Sequence, residues 1–251
     1  WPDSMMDYLT GDAILFSNDA FGQHYATEHM FNDLVVQSEL FEEAIKYYAN
    51  ILTPFSPLVT RTIAEVVGLG LSLNMICPSH GIIWRKDPLQ IVQQYQEWAA
   101  DYQEKQVTII YDTMWNGTRR LAEAMAKGVS SGGRDITVKV FNIARSDIND
   151  VVTEIFKSKG ILLGSPTINR GILAAMDTLM EMMTGLKFKK KKAAAFGCYG
   201  WSGESVKVLG DGLEKAGFEI VQEPFKTLWE PEDDALNAAM EFGRGFAEKI
   251  K

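Results

Sequence analysis

The chain has 251 residues, enough for one large domain or two modest ones, and at 46% hydrophobic and 23% charged it can bury a core. A net charge of −8 argues against nucleic acid and anionic membrane as partners. No apolar run approaches the roughly 20 residues of a membrane span, and no signal-peptide pattern opens the chain, which begins at Trp1.

Two cysteines, Cys77 and Cys198, lack zinc or disulfide spacing, a usage that fits a reducing cytoplasm. In chain order, residues 13–16 read as a short strand running into Ser17-Asn18-Asp19. Residues 39–52 have the length and apolar spacing of a helix, with another candidate at 58–67. A short strand at 75–77 precedes Pro78-Ser79-His80-Gly81. With so few strands, this half is not expected to make an independent domain with a good core. A polar, helix-like stretch over 88–104 then ends near Asp101 to Gln106, the best boundary, dividing 1–104 from 105–251.

Beyond it, strands and helices alternate. Strands are expected at 107–111, 136–143, 160–165, 193–198 and 218–222. Helices fall between and after them: 118–130, 147–157, 174–184 stopped by Gly185, 205–216 with Gly217 at its stop, and a last helix opened by Pro231. Such alternation implies a parallel sheet with helices on both faces, and ligands then bind beyond the carboxyl ends of the strands.

Three loops sit at those ends. Asp112-Thr113-Met114-Trp115-Asn116-Gly117-Thr118 leads into a helix start, where backbone N–H groups and the helix dipole favour an anion. It carries no lysine, which suits a phosphate that is bound and never transferred; the plain alternative is an ordinary capped helix start. Gly164-Ser165-Pro166-Thr167-Ile168-Asn169-Arg170-Gly171 and Phe196-Gly197-Cys198-Tyr199-Gly200-Trp201-Ser202-Gly203-Glu204 are long, polar and glycine-containing. A flavin needs a flat apolar surface for its ring and backbone groups for its pyrimidine edge, and three such loops converging on one crevice supply both.

These loops resemble the flavodoxin domain of flavodiiron proteins, in Tyr111-Asp112-Thr113-Met114-Trp115, Gly164-Ser165-Pro166-Thr167 and Gly200-Trp201-Ser202-Gly203-Glu204. Upstream, Trp1-Pro2-Asp3-Ser4-Met5, Ser17-Asn18-Asp19-Ala20-Phe21-Gly22, Tyr48-Ala49-Asn50-Ile51 and Cys77-Pro78-Ser79-His80-Gly81 resemble the second half of that family's metallo-β-lactamase-like domain. The resemblance covers essentially the whole chain; the family includes rubredoxin:oxygen oxidoreductase and the flavorubredoxin nitric oxide reductases. It implies a flavodoxin-like five-stranded parallel sheet over 105–251, preceded over 1–104 by the C-terminal half of an αββα metallo-β-lactamase-like domain. It implies electrons entering at FMN and passing to a non-haem diiron site that reduces O2 to water or NO to N2O.

Under that resemblance Thr113, Met114, Asn116, Gly117 and Thr118 hold the FMN phosphate, and Trp115 meets the flavin. Ser165, Pro166, Thr167, Asn169 and Gly171 line the ring or ribityl chain, and Tyr199, Gly200, Trp201, Ser202 and Gly203 meet the ring. Asp19 matches the carboxylate that bridges the irons and His80 the last histidine ligand, types that suit iron. The family's His-x-Glu-x-Asp-His cluster lies upstream and is not in this chain, and a further histidine precedes the Trp-Pro-Asp-Ser motif. Two ligands cannot hold two irons. The chain alone is therefore expected to lack a functional diiron centre unless a companion N-terminal polypeptide supplies the rest, and to act as an FMN electron-carrier module. The resemblance also implies a homodimer of the intact protein and a separate electron donor, such as rubredoxin or a reductase. A hydrolase of the β-lactamase type is disfavoured, because neither a flavin domain nor Asp19 serves hydrolysis.

Several residues keep a plainer reading alongside. Asp19 is equally a turn residue bonding its own backbone, and His80 a loop histidine. His24 and His29 read as structural or exposed, with His24 the nearer to the implied metal pocket. Cys198 reads as packing rather than redox. The basic run from Lys187 to Lys192 is either a solvated loop or a docking patch for an acidic redox partner.

Overall fold

The computed structural model describes residues 4–133 and 135–250, so Trp1, Pro2 and Asp3 of the first family motif lie outside the described residues. The chain divides into two compact units, Trp1–Tyr102 and Gln103–Lys251.

In the first unit, β1 (Asp7–Leu9), β2 (Ile14–Asn18) and β3 (Met75–Pro78) form a sheet in that order, β1 antiparallel and β3 parallel to β2. Helix α1 (Gln37–Tyr47) does not run unbroken to residue 52 as its spacing suggested. It widens at Tyr48–Leu52 and tightens at Thr53–Phe55 before α2 (Ser56–Gly68) begins. Pro54 is the cause, since it has no N–H to give and its ring crowds the carbonyl four residues back. The Asn50 amide and the Thr53 hydroxyl donate instead to the carbonyls of Lys46 (2.9 Å) and Ala49 (2.8 Å).

This unit has more core than its few strands suggested. Tyr48, Tyr95 and Trp98, the last two on α3 (Leu89–Ala99), are buried with ring centroids 5.1–5.5 Å apart, and Phe21 lies 4.9 Å from Tyr95. Aromatic rings bury much area per residue, so a small sheet suffices.

In the second unit, β4 (Glu104–Tyr111), β5 (Thr137–Asn142), β6 (Ser158–Gly164), β7 (Lys192–Tyr199) and β8 (Glu219–Ile220) form a parallel sheet in the order β5-β4-β6-β7-β8. This is the flavodoxin-like order, with the switch point beside β4. Helices α4 (Gly117–Gly132), α5 (Ile148–Lys157), α6 (Ala174–Leu186), α7 (Ser205–Lys215) and α8 (Asp233–Lys249) cover both faces. Hence β4 is buried continuously from Gln106 to Tyr111 rather than alternately. Val107, Ile109 and Tyr111 meet Leu121, Met125 and Val129 of α4 and Phe246 of α8 in one cluster.

Local chemistry sets the helix ends. Asp147 caps α5 by accepting from the N–H groups of Asn149 and Asp150. Asp233 and Asp234 stand in the first turn of α8, which begins two residues after Pro231. Helix α6 passes through Gly185 and stops at Lys187, which takes the left-handed conformation. The fifth strand expected at 218–222 is shorter and doubled: β8 pairs with the start of β7, and β9 (Phe225–Leu228) pairs with its end, Phe196 to Tyr199. Pro224, which cannot donate to a ladder, stands between the two segments.

The basic run does not form a uniform patch. Lys191 is buried and donates to the carbonyls of Phe156 (2.6 Å) and Ser158 (2.8 Å), while Lys187, Lys189 and Lys190 are exposed. All precede or open β7, whose eight residues at about 3.3 Å each put roughly 23 Å between them and the loop at the strand's other end.

Helices α4 and α8 approach backbone to backbone. A Cβ at Gly128 would collide with the Met240 carbonyl oxygen, and one at Gly243 with the Met125 carbonyl oxygen. Gly128→Ala or Gly243→Ala is therefore expected to destabilise the second unit by roughly 1–2 kcal/mol through overpacking, despite alanine's better helix propensity. Urea unfolding followed by circular dichroism measures this; an unchanged midpoint would mean the two helices separate at no cost.

Candidate functional site

The carboxyl ends of β4, β6, β7 and β9 lie side by side, and the loops leaving them form one rim. After β4, the Asp112 N–H donates to the Gly164 carbonyl (2.9 Å) and the Asp112 carboxylate accepts from the Thr113 N–H (2.8 Å). Asn116 precedes α4 in a left-handed conformation (φ 65°) and its side chain does not cap the helix. The first-turn donors of α4 therefore gain no acceptor from the residue that ordinarily provides one. Next to them the Thr113 hydroxyl oxygen is buried with no hydrogen-bond partner among the described residues. A helix N-terminus without a side-chain cap, preceded by a buried hydroxyl without a partner, suits an oxyanion.

After β6, the hydroxyls act as struts. Ser165 Oγ donates to the Pro166 carbonyl (3.0 Å) and accepts from the Leu173 N–H (3.1 Å). Thr167 Oγ1 donates to Ser205 Oγ (3.0 Å) and accepts from the Ser205 N–H (3.2 Å), tying the loop to the start of α7. Asn169 and Arg170 both have positive φ while Ile168 and Gly171 exchange two backbone bonds, which is a tight two-residue hairpin turn.

After β7, Tyr199 and Gly200 lead to Trp201, which is 90% exposed. Ser202 donates to the Glu204 carboxylate (2.7 Å) and so holds it below the ordinary carboxylate range. Cys198 Sγ lies 3.3 Å from Thr118 Oγ1, beneath the first turn of α4, and burial pushes its thiol up. It has the packing role expected of it and stays a thiol at neutral pH. Met114 and Trp115 (86% exposed) stand on the same rim.

In the first unit, Asp19 follows β2 and His80 follows β3, its parallel neighbour. His80 Nε2 is 3.0 Å from Asp19 Oδ1, and Ser79 Oγ donates to the same oxygen at 3.4 Å. The His24 ring packs edge-on at 5.8 Å from His80 and 5.0 Å from Tyr47, so His24 joins this pair, whereas His29 lies apart and exposed. Buried Gln23 fixes the His80 loop by bonding both the N–H (2.7 Å) and the carbonyl (3.3 Å) of Ile82.

The flavodoxin family profile matches residues 109–243. Over 249 residues the chain is 54% identical to the anaerobic nitric oxide reductase flavorubredoxins of Escherichia coli O1:K1 and Klebsiella pneumoniae, covering 99% of this chain and 52% of each relative. The rubredoxin oxygen:oxidoreductase of Desulfovibrio gigas superposes with a TM-score of 0.95 at 34% identity, over 100% of this chain and 62% of that one. The flavodiiron protein of Giardia intestinalis gives 0.90 at 30% identity, over 100% and 61%.

The chain belongs to the flavodiiron protein family. It spans about half the length of the flavorubredoxins it matches. Its flavodoxin domain makes FMN the cofactor, and the orphaned Thr113 hydroxyl and uncapped α4 suit the phosphate. The donor chemistry at Asp19 and His80 suits iron, but these groups bond one another. Among the described residues no group of three or more His, Cys, Asp and Glu side chains is arranged to hold a metal ion.

Sequence reasoning missed two residues of this flavodiiron chain. Trp229, after β9, escaped because the split of the fifth strand is invisible in periodicity. Gln23 escaped because nothing in its neighbourhood marks it as buried. Gly81, beside His80, has φ +77°, and a Cβ there would collide with Gln23. Gly81→Ala is expected to cost the first unit about 2–3 kcal/mol from strain and collision together. Thermal unfolding followed by tryptophan fluorescence checks it; an unshifted transition would show that the His80 loop is not held by this contact.

Proposed function

We propose that this chain is the electron-carrying part of a flavodiiron nitric oxide reductase, holding FMN in its second unit and contributing Asp19 and His80 to a diiron centre. Two NO, two electrons and two protons give N2O and water in the overall reaction. The single observation that carries the flavin part is the buried, unpartnered Thr113 hydroxyl beside the uncapped start of α4. For the substrate, 54% identity to relatives named nitric oxide reductases, against 34% to one named an oxygen oxidoreductase, favours NO over O2.

The roles divide by loop. Thr113, Met114, Asn116, Gly117 and Thr118 bind the phosphate through the Thr113 hydroxyl and backbone N–H groups. The loop of Ser165, Pro166, Thr167, Asn169 and Gly171, stiffened by its own hydroxyl struts, lines the ribityl chain and ring with backbone groups. Tyr199, Gly200, Trp201, Ser202 and Gly203, with Trp115 on the same rim, enclose the ring and exclude water. Bound there, FMN takes up and releases electrons, which none of these side chains does.

The remaining iron ligands come from polypeptide outside these 251 residues, either the rest of a longer chain or a companion N-terminal polypeptide. The intact protein is a cytoplasmic homodimer, and its electrons come from a separate rubredoxin or reductase. That donor approaches the rim rather than the exposed lysines, which stand at the far end of β7. A second reading, an FMN electron carrier without its own iron chemistry, is favoured by one observation: Asp19 Oδ1 and His80 Nε2 bond one another directly.

Two measurements separate these claims. Thr113→Val removes a hydroxyl whose bond to a charged phosphate is worth about 1.5–3 kcal/mol, so FMN affinity is expected to fall roughly 10- to 100-fold. Riboflavin affinity and the stability of the flavin-free protein stay unchanged; equal FMN binding would remove Thr113 from the phosphate site. In the protein carrying the complete ligand set, Asp19→Ala or His80→Ala is expected to abolish N2O formation with FMN content intact. Undiminished N2O formation by either variant would leave the carrier reading standing.

A further inference from the structure

Trp229 stands out on two counts. Its backbone is held at φ 58°, a left-handed conformation that bulky side chains rarely adopt, and its indole is 64% exposed. Left-handed backbone is spread round this rim, at Asn116, Asn169 and Arg170 as well, but asparagine tolerates it and tryptophan does not. Strained conformations persist where the surroundings over-determine them, and they gather at ligand sites.

Here the surroundings do over-determine it. The Trp229 N–H donates to the Tyr199 carbonyl at 2.7 Å, extending the pairing of β9 with β7 by one residue. The indole lies over Gly200, where a Cβ would collide with it, and meets Trp201 with ring centroids 5.9 Å apart at 88°. The two indoles thus make a right-angled aromatic corner at the end of β7. The next residues reach the opposite side of the rim. Glu230 pairs with Arg120 of α4 at 2.8 Å, and Pro231 lies against Gly117, 3.5 Å from where its Cβ would be. One short strap therefore touches both the aromatic corner and the helix start that suits a phosphate.

We infer that Trp229 is a flavin-ring contact: the strap from Leu228 to Pro231 holds it in a strained pose so that its indole and that of Trp201 form two walls for a flat heteroaromatic ring. The inference rests on the flavin reading above and adds a residue that this reading does not use. The recognised chemistry is the planar ring system, not the phosphate. The contact must therefore serve riboflavin and FMN alike.

The test uses the full chain, stripped of flavin and titrated with each of the two by fluorescence. Trp229→Gly relieves the left-handed backbone, since glycine adopts that conformation readily, and removes a side chain that is mostly exposed. Its flavin-free form is expected to be as stable as the wild type or more so. Its affinity for riboflavin and for FMN falls by the same factor, roughly 10-fold, the scale of a lost aromatic contact. Trp229→Phe restores most of the loss for both. Wild-type affinity in Trp229→Gly overturns the inference, and so does a loss confined to FMN, which would put the effect at the phosphate. A wild-type chain that binds neither flavin refutes the flavin reading itself, an outcome distinct from both.

Discussion

Four loops share the rim of the second unit because backbone hydrogen bonds carry the parallel ladder past the ends of its strands. The Asp112 N–H reaches the carbonyl of Gly164, those of Ser165 and Thr167 reach Phe196 and Cys198, and that of Trp229 reaches Tyr199. Each bond joins one loop to the end of a neighbouring strand, so none is positioned alone. Buried backbone groups are rarely left unpaired, and here meeting that requirement also fixes the ligand-binding geometry. The side chains add what backbone cannot: Thr167 locks the β6 loop to α7, and Cys198 packs under Thr118 at the start of α4. If the ladder slipped by a residue, every contact on the rim would go with it.

The first unit repeats the device on a smaller scale. Strands β2 and β3 are parallel neighbours, and beyond their ends Ser79 donates to the Asn18 carbonyl (2.8 Å) and Gln23 to the His80 carbonyl (3.3 Å). Asp19 and His80, sixty-one residues apart, are thereby brought to 3.0 Å. The backbone gives way around them, since Asn18, Phe21 and Gly81 all take positive φ. Both units thus present reactive groups where parallel strands stop, because the loops there are free to turn while their roots stay fixed.

The same logic gives the two ends of the second sheet different tasks. At the amino ends, buried polar groups are spent on cohesion: Lys191 binds two carbonyls, and Gln106, Thr108 and Ser158 bond one another. At the carboxyl ends the Thr113 hydroxyl is left without a partner among the described residues, α4 starts without a side-chain cap, and large aromatics are left uncovered. Stability is concentrated at one end and unmet bonding capacity at the other.

The sequence by itself determined the alternation of elements in the second unit and the three loops between them. Buried parallel strands are continuous apolar runs, and turns demand glycine and small polar residues, so both leave local marks. It also marked Asp19 and His80, through the residues flanking them. Only the tertiary structure decided which groups were already satisfied: that Ser165 and Thr167 are struts while Thr113 is not, that Lys191 is buried within an apparent surface run, and that Asp19 meets His80. Only the fold revealed that the fifth strand is split, which puts Trp229 on the rim. The reason is physical: periodicity records which way a side chain points along its own element, whereas hydrogen-bond satisfaction depends on partners distant in sequence.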